Sequence, residues 1–394
     1  MQYDPELGGL IYQAASAARR VGGISFAGGY PDPALFDVDG LAEAFAAMFR
    51  DSARVALQYG ERDGQPALRE LIAAFESADG ARVDAGEVIV TNGGQQGIEL
   101  SVRTLTRPGD TILLDSPVFP TALQVFHLAG LDGRSVRTDA DGIDPEALES
   151  MARRHRPRLL YLVPSYSNPG GTLLSVERRR EVLRLAVRYD FHVIADDPYS
   201  RLWFESPPPA SMLAVAAGID GARERLTQVS SLSKLVAPGL RLGWMIPPAG
   251  SRRELLFAKQ ASDIHSALHT QHAVTAYWKA GHLERHLPAI RLAYRERARA
   301  LVAALDDVLG ERVEFVRPGG GMFVWCRLPE VPDTRALFDT ASAARVFFVP
   351  GVAFYPRDPD CSTMRLSFAT TPAEQMRDGV ERLRLALDGL AKKN

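Results

Sequence analysis

Lysine is rare in this chain. Of 46 lysines and arginines only five are lysines: Lys234, Lys259, Lys279, Lys392 and Lys393. An arginine guanidinium stays protonated and resonance-stabilised, so chemistry through an imine would have to use one of the five. Lys234 has the most telling surroundings, VSSLSKLVAPGLRLG over residues 229–243. That stretch offers two hydroxyls (Ser231 and Ser233), one amine and the guanidinium of Arg241. Such a set suits an anionic ligand whose electrophilic carbon is held by the amine. Composition alone favours a solvated lysine on a surface loop.

Other residues could join it. The turn Thr91-Asn92-Gly93-Gly94-Gln95-Gln96-Gly97 would open a helix with several free backbone amides, a natural place for an anion. Its spacing is neither that of a Walker loop nor that of a dinucleotide fingerprint. Asp196 and Asp197 end an apolar run. They could suggest a metal, but no His or Cys set accompanies them, whereas a pyridine-type cofactor needs one carboxylate at its ring nitrogen. Asn168-Pro169-Gly170 is a strong turn signal, Gly28 and Gly29 permit close backbone approach, and Phe119 by itself reads as core. Arg365 offers a fork of donors that fits a carboxylate or a rim salt bridge. His265, His269 and His272 are spaced to share one helix face, but zinc also needs a further ligand or an open position, so no metal is expected. Cys326 and Cys361 lack basic neighbours in sequence and read as buried apolar residues.

The elements that must carry these residues follow an α/β pattern. Apolar strands are predicted at 88–91, 111–115, 159–164, 192–196, 226–230 and 241–246, with helices near 39–50, 95–106, 120–130, 145–155 and 175–189. Continuous apolar strands between helices predict a mostly parallel sheet covered on both faces, with ligands beyond the carboxyl ends of its strands. Residues 251–280 read as helical, and a long helix over 283–309 should break or bend at Pro288. Strands at 322–328, 346–349 and 363–368 with helices near 333–343 and 371–391 predict a smaller α+β domain. The expected division is an N-terminal arm over 1–45, partly completing that smaller domain, a large domain over 46–285, and the small domain over 286–394. Net charge is −2 with no basic block, apolar content is 46%, and two cysteines exclude a disulfide framework. No apolar run is long enough to span a membrane as a helix. A cytoplasmic protein without nucleic-acid or membrane partners is expected.

The motifs, in this order, resemble those of the class I/II aminotransferases, pyridoxal 5'-phosphate enzymes of fold type I, and within them the 2-aminoadipate and aromatic aminotransferases. The similarity runs from about Ser25 to about Thr370. The lysine loop matches S-x-S-K-x-x-x-P-G-x-R-x-G, and N-P-x-G, D-x-x-Y, L-Q-Y-x-x-x-x-G and RPGGGMFVW occur in their places. The resemblance implies that Lys234 holds the cofactor as a Schiff base and acts as catalytic base, with Asp196 at the ring nitrogen and Asn168 and Tyr199 at the 3'-oxygen. It further implies that Phe119 stacks on the ring and that Ser231, Ser233, Arg241 and the turn at Gly93, Gly94 and Gln95 bind the phosphate. Gly94 stands where the family commonly has serine, which removes one hydroxyl. Tyr59 would reach the phosphate in a neighbouring subunit, implying a homodimer with shared sites. Arg365, with Asn168 and Gly29, would hold the substrate. Tyr12 falls where lysine-pathway relatives place an arginine for a distal carboxylate, although Arg19 and Arg20 could substitute. The expected reaction moves the amino group of a neutral, aromatic or aliphatic L-amino acid to a 2-oxo acid, with 2-oxoglutarate the expected acceptor. Alternatives are 2-aminoadipate as donor and another Cα or Cβ reaction such as elimination, racemisation or oxidation. An effector-sensing domain and a purely structural protein are the remaining, less expected classes.

Overall fold

A computed structural model describes Gly9, residues 13, 14 and 16–18, and residues 20–391. Tyr12 and Arg19 lie outside the described residues. Apolar runs that must be covered on both faces build the centre. Seven strands form one sheet in the order Ile89–Thr91, Gly243–Ile246, Leu226–Ser231, His192–Asp196, Leu159–Leu162, Thr111–Asp115 and Asp132–Val136. All neighbours are parallel except Gly243–Ile246, which runs antiparallel to both of its partners. Asp132–Val136 was not foreseen: DGRSV is an edge strand with only part of its length buried, so it lacks a continuous apolar run. The antiparallel strand depends on Gly243, because a Cβ there would lie 2.5 Å from the carbonyl carbon of Gly93.

A second, antiparallel sheet follows the order Glu314–Phe315, Phe323–Arg327, Thr363–Ser367 and Val349–Pro350. The helices Thr334–Ala343 and Met376–Ala391 pack against each other beside it. Ile24–Ser25 pairs in parallel with Val346–Phe347, so the N-terminal segment is tied to the C-terminal part. The predicted strand 346–349 is thus two short pieces serving different partners. The long helix His282–Val308 runs through Pro288 without a break, so of the expected break or bend it shows no break.

The helical stretch expected over 251–280 is two helices, Arg252–Asp263 and Leu268–Lys279. Between them Ile264 takes φ of 64° with ψ of −61°, a positive-φ conformation outside the left-handed helical region that a β-branched residue rarely adopts. The break overturns the shared face expected for the three histidines. His265 sits in the turn with its ring edge-on to Tyr59, His269 is exposed, and His272 pairs with the Gln65 side chain at 3.1 Å. Among the described residues no group of three His, Cys, Asp or Glu is placed to hold a metal ion.

Candidate active site

The carboxyl ends of the parallel strands and the loops after them converge on one cavity of about 540 Å³. Strand His192–Asp196 delivers Asp196, and strand Leu226–Ser231 leads into Ser231, Ser233 and Lys234. The loop after Leu159–Leu162 brings Asn168, and helix Gly94–Leu105 presents its first residues, Gly94 and Gln95. Phe119, Tyr199, Arg241, Gly29 and Arg365 complete the lining together with Tyr30, Ile98, Thr121, Val163, Pro198 and Pro238. Twelve residues singled out from sequence and separated by up to 336 positions therefore share one wall (365 − 29 = 336). A larger cavity, about 740 Å³, lies between the edge strand Asp132–Val136 and the second sheet and holds none of these groups, so size does not locate the chemistry.

Two expected residues stand elsewhere. Gly93 lies behind the wall: it has φ of 75°, and a Cβ on it would come within 2.5 Å of the Arg241 guanidinium. Its missing side chain therefore leaves room for Arg241. Tyr59 is three-quarters exposed and does not line the cavity within one chain.

The Lys234 amine donates to the carbonyl of Gly29 at 2.9 Å. Burial pushes its pKa down from 10.5 to about 8; the nearby Arg365 and Arg241 push the same way, and Asp196 opposes them. Asp196 is buried and accepts a hydrogen bond on Oδ2 from the Tyr161 hydroxyl at 2.7 Å. Burial raises its pKa to about 7, with Asp197 adding to the rise and Tyr161 and Lys234 countering it. Tyr161 was missed from sequence. Its signal was a tyrosine within the buried strand LLYL, where the hydroxyl must find a partner. Tyr199 is hydrogen-bonded to Asn168, and burial and Asp196 raise its pKa above the usual phenol range. Asp197, the neighbouring carboxylate, accepts from Ser165 Oγ at 3.2 Å while its Oδ1 has no partner.

Arg365 is buried between Phe323 and Phe354. Its Nη1 donates to Asn168 Oδ1 at 2.9 Å and its Nη2 to the Ala27 carbonyl at 2.7 Å, leaving Nε without a partner. Arg241 Nη2 donates to the Asn92 carbonyl at 3.0 Å. Its backbone is left-handed at φ 49°, which aims a non-glycine residue from the end of a short 3-10 turn.

This donor set fits pyridoxal phosphate. A guanidinium, two hydroxyls and the N-terminal amides of a helix suit a phosphate dianion. The buried Asp196 carboxylate lines the same cavity, with Oδ1 bonded to none of the described residues, which suits a protonated ring nitrogen, and the amine of Lys234 suits an aldehyde.

Known proteins resemble this chain in sequence and in fold. The family described as aminotransferase class I and II matches residues 27–383. The 2-aminoadipate transaminase of Thermus thermophilus is 37% identical over 382 residues, spanning 96% of this chain and 94% of its own. The aromatic-amino-acid aminotransferase 1 of Thermococcus litoralis is 32% identical over 91% of this chain and 87% of its own. Among solved structures, the Thermus thermophilus alpha-aminoadipate aminotransferase complexed with N-(5'-phosphopyridoxyl)-L-leucine aligns with a TM-score of 0.88 at 35% identity, covering 97% of this chain and 98% of that one. The multiple substrate aminotransferase of Thermococcus profundus aligns with a TM-score of 0.90 at 31% identity, covering 98% and 96%. With a family match over most of its length and the whole architecture shared, this chain belongs to the class I and II aminotransferases and is a pyridoxal-phosphate-dependent enzyme of fold type I.

Proposed function

We propose that the enzyme moves the amino group of an L-amino acid with an uncharged side chain, aromatic or aliphatic, to a 2-oxo acid, with 2-oxoglutarate as acceptor. The observation that carries this preference is the lining of the cavity. Among the described residues its cationic side chains are Lys234, Arg241 and Arg365. Each of these has a task at the cofactor or the α-carboxylate, which leaves none for a distal carboxylate. Arg20 is exposed and does not line the cavity. Tyr30, Ile98, Phe119 and Val163 supply apolar or uncharged surface instead.

When bound, pyridoxal phosphate supplies an aldehyde that captures the substrate amine and a ring that takes up the electron pair released at Cα. Arg365 holds the α-carboxylate with its guanidinium fork, orienting Cα toward Lys234. With the cofactor bound, Lys234 Nζ would take the proton from Cα and deliver it to the former aldehyde carbon on the far side of the substrate nitrogen, a role served by a pKa near the working pH. Asp196 keeps a proton on the ring nitrogen, while Asn168 and Tyr199 hold the 3'-oxygen. Ser231, Ser233, Arg241 and the amides of Gly94 and Gln95 grip the phosphate, and Phe119 covers the ring.

A homodimer is part of the same proposal. Phe49, Val55, Leu57, Tyr59, Phe257 and Ile264 are all large apolar or aromatic side chains left exposed. The two segments that bear them meet, through the Tyr59 and His265 rings and a 3.1 Å bond from Arg62 to Gln260. A second copy seated there would cover the patch and carry Tyr59 toward its partner's phosphate site. Two cysteines without a disulfide fit a cytoplasmic location.

The test is the absorbance of the purified protein mixed with single L-amino acids and no acceptor. Leucine, phenylalanine or tyrosine should deplete a band above roughly 400 nm and raise one near about 330 nm, marking transfer of the amino group. 2-Aminoadipate is the second reading, favoured by the 37% identical relative that bears that name. Comparable turnover of 2-aminoadipate and leucine would overturn the uncharged preference. Release of ammonia and pyruvate without an acceptor would point to chemistry at Cβ instead.

A further inference from the structure

The turn before helix Gly94–Leu105 has a mechanical problem. Gly93 and Gly94 bring no side chains, so an anion can approach their backbone closely, and for the same reason they add no side-chain brace of their own. Thr91 Oγ1 donates to the Gly93 carbonyl at 2.9 Å, and further bracing ties the turn to a part of the chain far away in sequence. Asp263, the last residue of helix Arg252–Asp263, accepts on Oδ2 from Asn92 Nδ2 at 2.7 Å and from Gln96 Nε2 at 2.9 Å. Gln96 Oε1 in turn accepts from the Asn92 backbone N–H at 2.8 Å. The Asn92 carbonyl receives the Arg241 guanidinium at 3.0 Å. Asn92 is thus gripped at its side chain, its amide and its carbonyl, and the third grip includes Arg241 itself.

Asp263 brings a negative charge close to a site meant for an anion. Lys259, on the same helix and fully buried, offsets it: its amine meets both carboxylate oxygens, at 2.9 and 2.8 Å. The third ammonium hydrogen goes to Ser266 Oγ at 2.9 Å, and that hydroxyl donates to the Val90 carbonyl on the strand entering the turn. Burial lowers the pKa of Lys259, while the ion pair with Asp263 works to keep it charged. Removing one member of such a pair leaves the other charge uncompensated.

We propose that Lys259, Asp263 and Gln96 are positioning residues for the cofactor's phosphate: a neutralised carboxylate that fixes the shape of the glycine turn and, through Asn92, the direction of Arg241. None of the three lines the cavity, and the inference rests on the cofactor reading of that site.

Cofactor-free protein titrated with pyridoxal 5'-phosphate and, separately, with pyridoxal provides the test, each Kd read from the visible absorbance. Comparing the two ligands isolates the phosphate contribution. For Lys259→Met the preference for the phosphorylated ligand should fall by about tenfold or more, while the Kd for pyridoxal stays within about twofold. Gln96→Met, which leaves the buried ion pair whole, should lower the same preference by about threefold to tenfold and decides the matter if Lys259→Met does not fold. A ratio that does not change in Gln96→Met or in folded Lys259→Met, whether both affinities persist or both fall together, overturns the positioning role. Wild-type protein that captures neither ligand overturns the cofactor reading itself and the inference with it.

Discussion

Lys259 directs all three of its ammonium hydrogens to neighbours: two carboxylate oxygens of Asp263 and one hydroxyl. Lys234, the other lysine held inside the protein among the described residues, makes one hydrogen bond to them, to the Gly29 carbonyl. Each lysine has an aspartate partner, but the pairings differ. Asp263 touches its lysine at 2.8 Å, whereas Asp196 gives its hydrogen-bonding oxygen to Tyr161 and acts on Lys234 only through space. Two arginines crowd Lys234 further and none is among the causes at Lys259. One pair is saturated and holds a shape; the other is left unsatisfied, and a group whose charged form is disfavoured is ready to react.

The largest expected contrast comes from removing the lysines. Lys234→Ala should cut turnover by about 10⁴-fold or more and abolish the visible band of bound cofactor. Lys259→Met, given excess cofactor, should keep that band. A Lys234→Ala protein that retained both turnover and band would dissolve the contrast and the assignment of Lys234 together. The aspartates should differ next. Asp196→Asn keeps an acceptor for Tyr161 but loses the charge, and turnover should fall by about 10³-fold at saturating cofactor. Asp263→Asn under the same conditions should cost less than about tenfold, because its work is finished once the phosphate is seated. Equal losses in steady-state kcat would mean that the two carboxylates do not divide the work in this way.

Much of one pair was legible in the sequence and little of the other. Lys234 stands out because the chain uses so few lysines and because hydroxyls, Pro238 and Gly239 punctuate its loop. Asp196 ends a strand, HVIAD, whose unbroken apolar run marks it as covered on both faces. The strands legible in this way built most of the central sheet, whereas the edge strand Asp132–Val136 and the short Glu314–Phe315, both partly exposed, showed no such run. Lys259 and Asp263 carry no local mark beyond an i,i+4 pair on a helix, ordinarily a surface feature. Their meaning depends on Asn92, 171 residues away, and so on tertiary packing. The break at Ile264 was hidden for a related reason: no glycine or proline announces it, and the positive-φ backbone is imposed on an isoleucine. Tyr161 needed strand register, since pairing with Ile194 sets it two residues from Asp196 along the adjacent strand.

The pH dependence of cofactor capture is the most direct reading of how the two lysines differ. Capture of pyridoxal phosphate by cofactor-free protein requires the neutral amine of Lys234, and a lowered pKa means that this form dominates above about 8 and not above the ordinary 10.5. Between pH 7 and pH 9 the neutral fraction should climb from about one tenth to about nine tenths, so the capture rate should rise by about tenfold and level off. A lysine of ordinary pKa would instead gain about a hundredfold over the same interval with no plateau. After burial, the strongest influence lowering the pKa of Lys234 is Arg365. Arg365→Met should therefore move the midpoint of the capture profile to higher pH, since removing a nearby cation favours the protonated amine. A midpoint that stayed at about 8 in this variant would assign the shift to burial and Arg241. Arg365 would then be a matter of substrate binding only, and its share of the difference between the lysines would pass to burial and their hydrogen bonds.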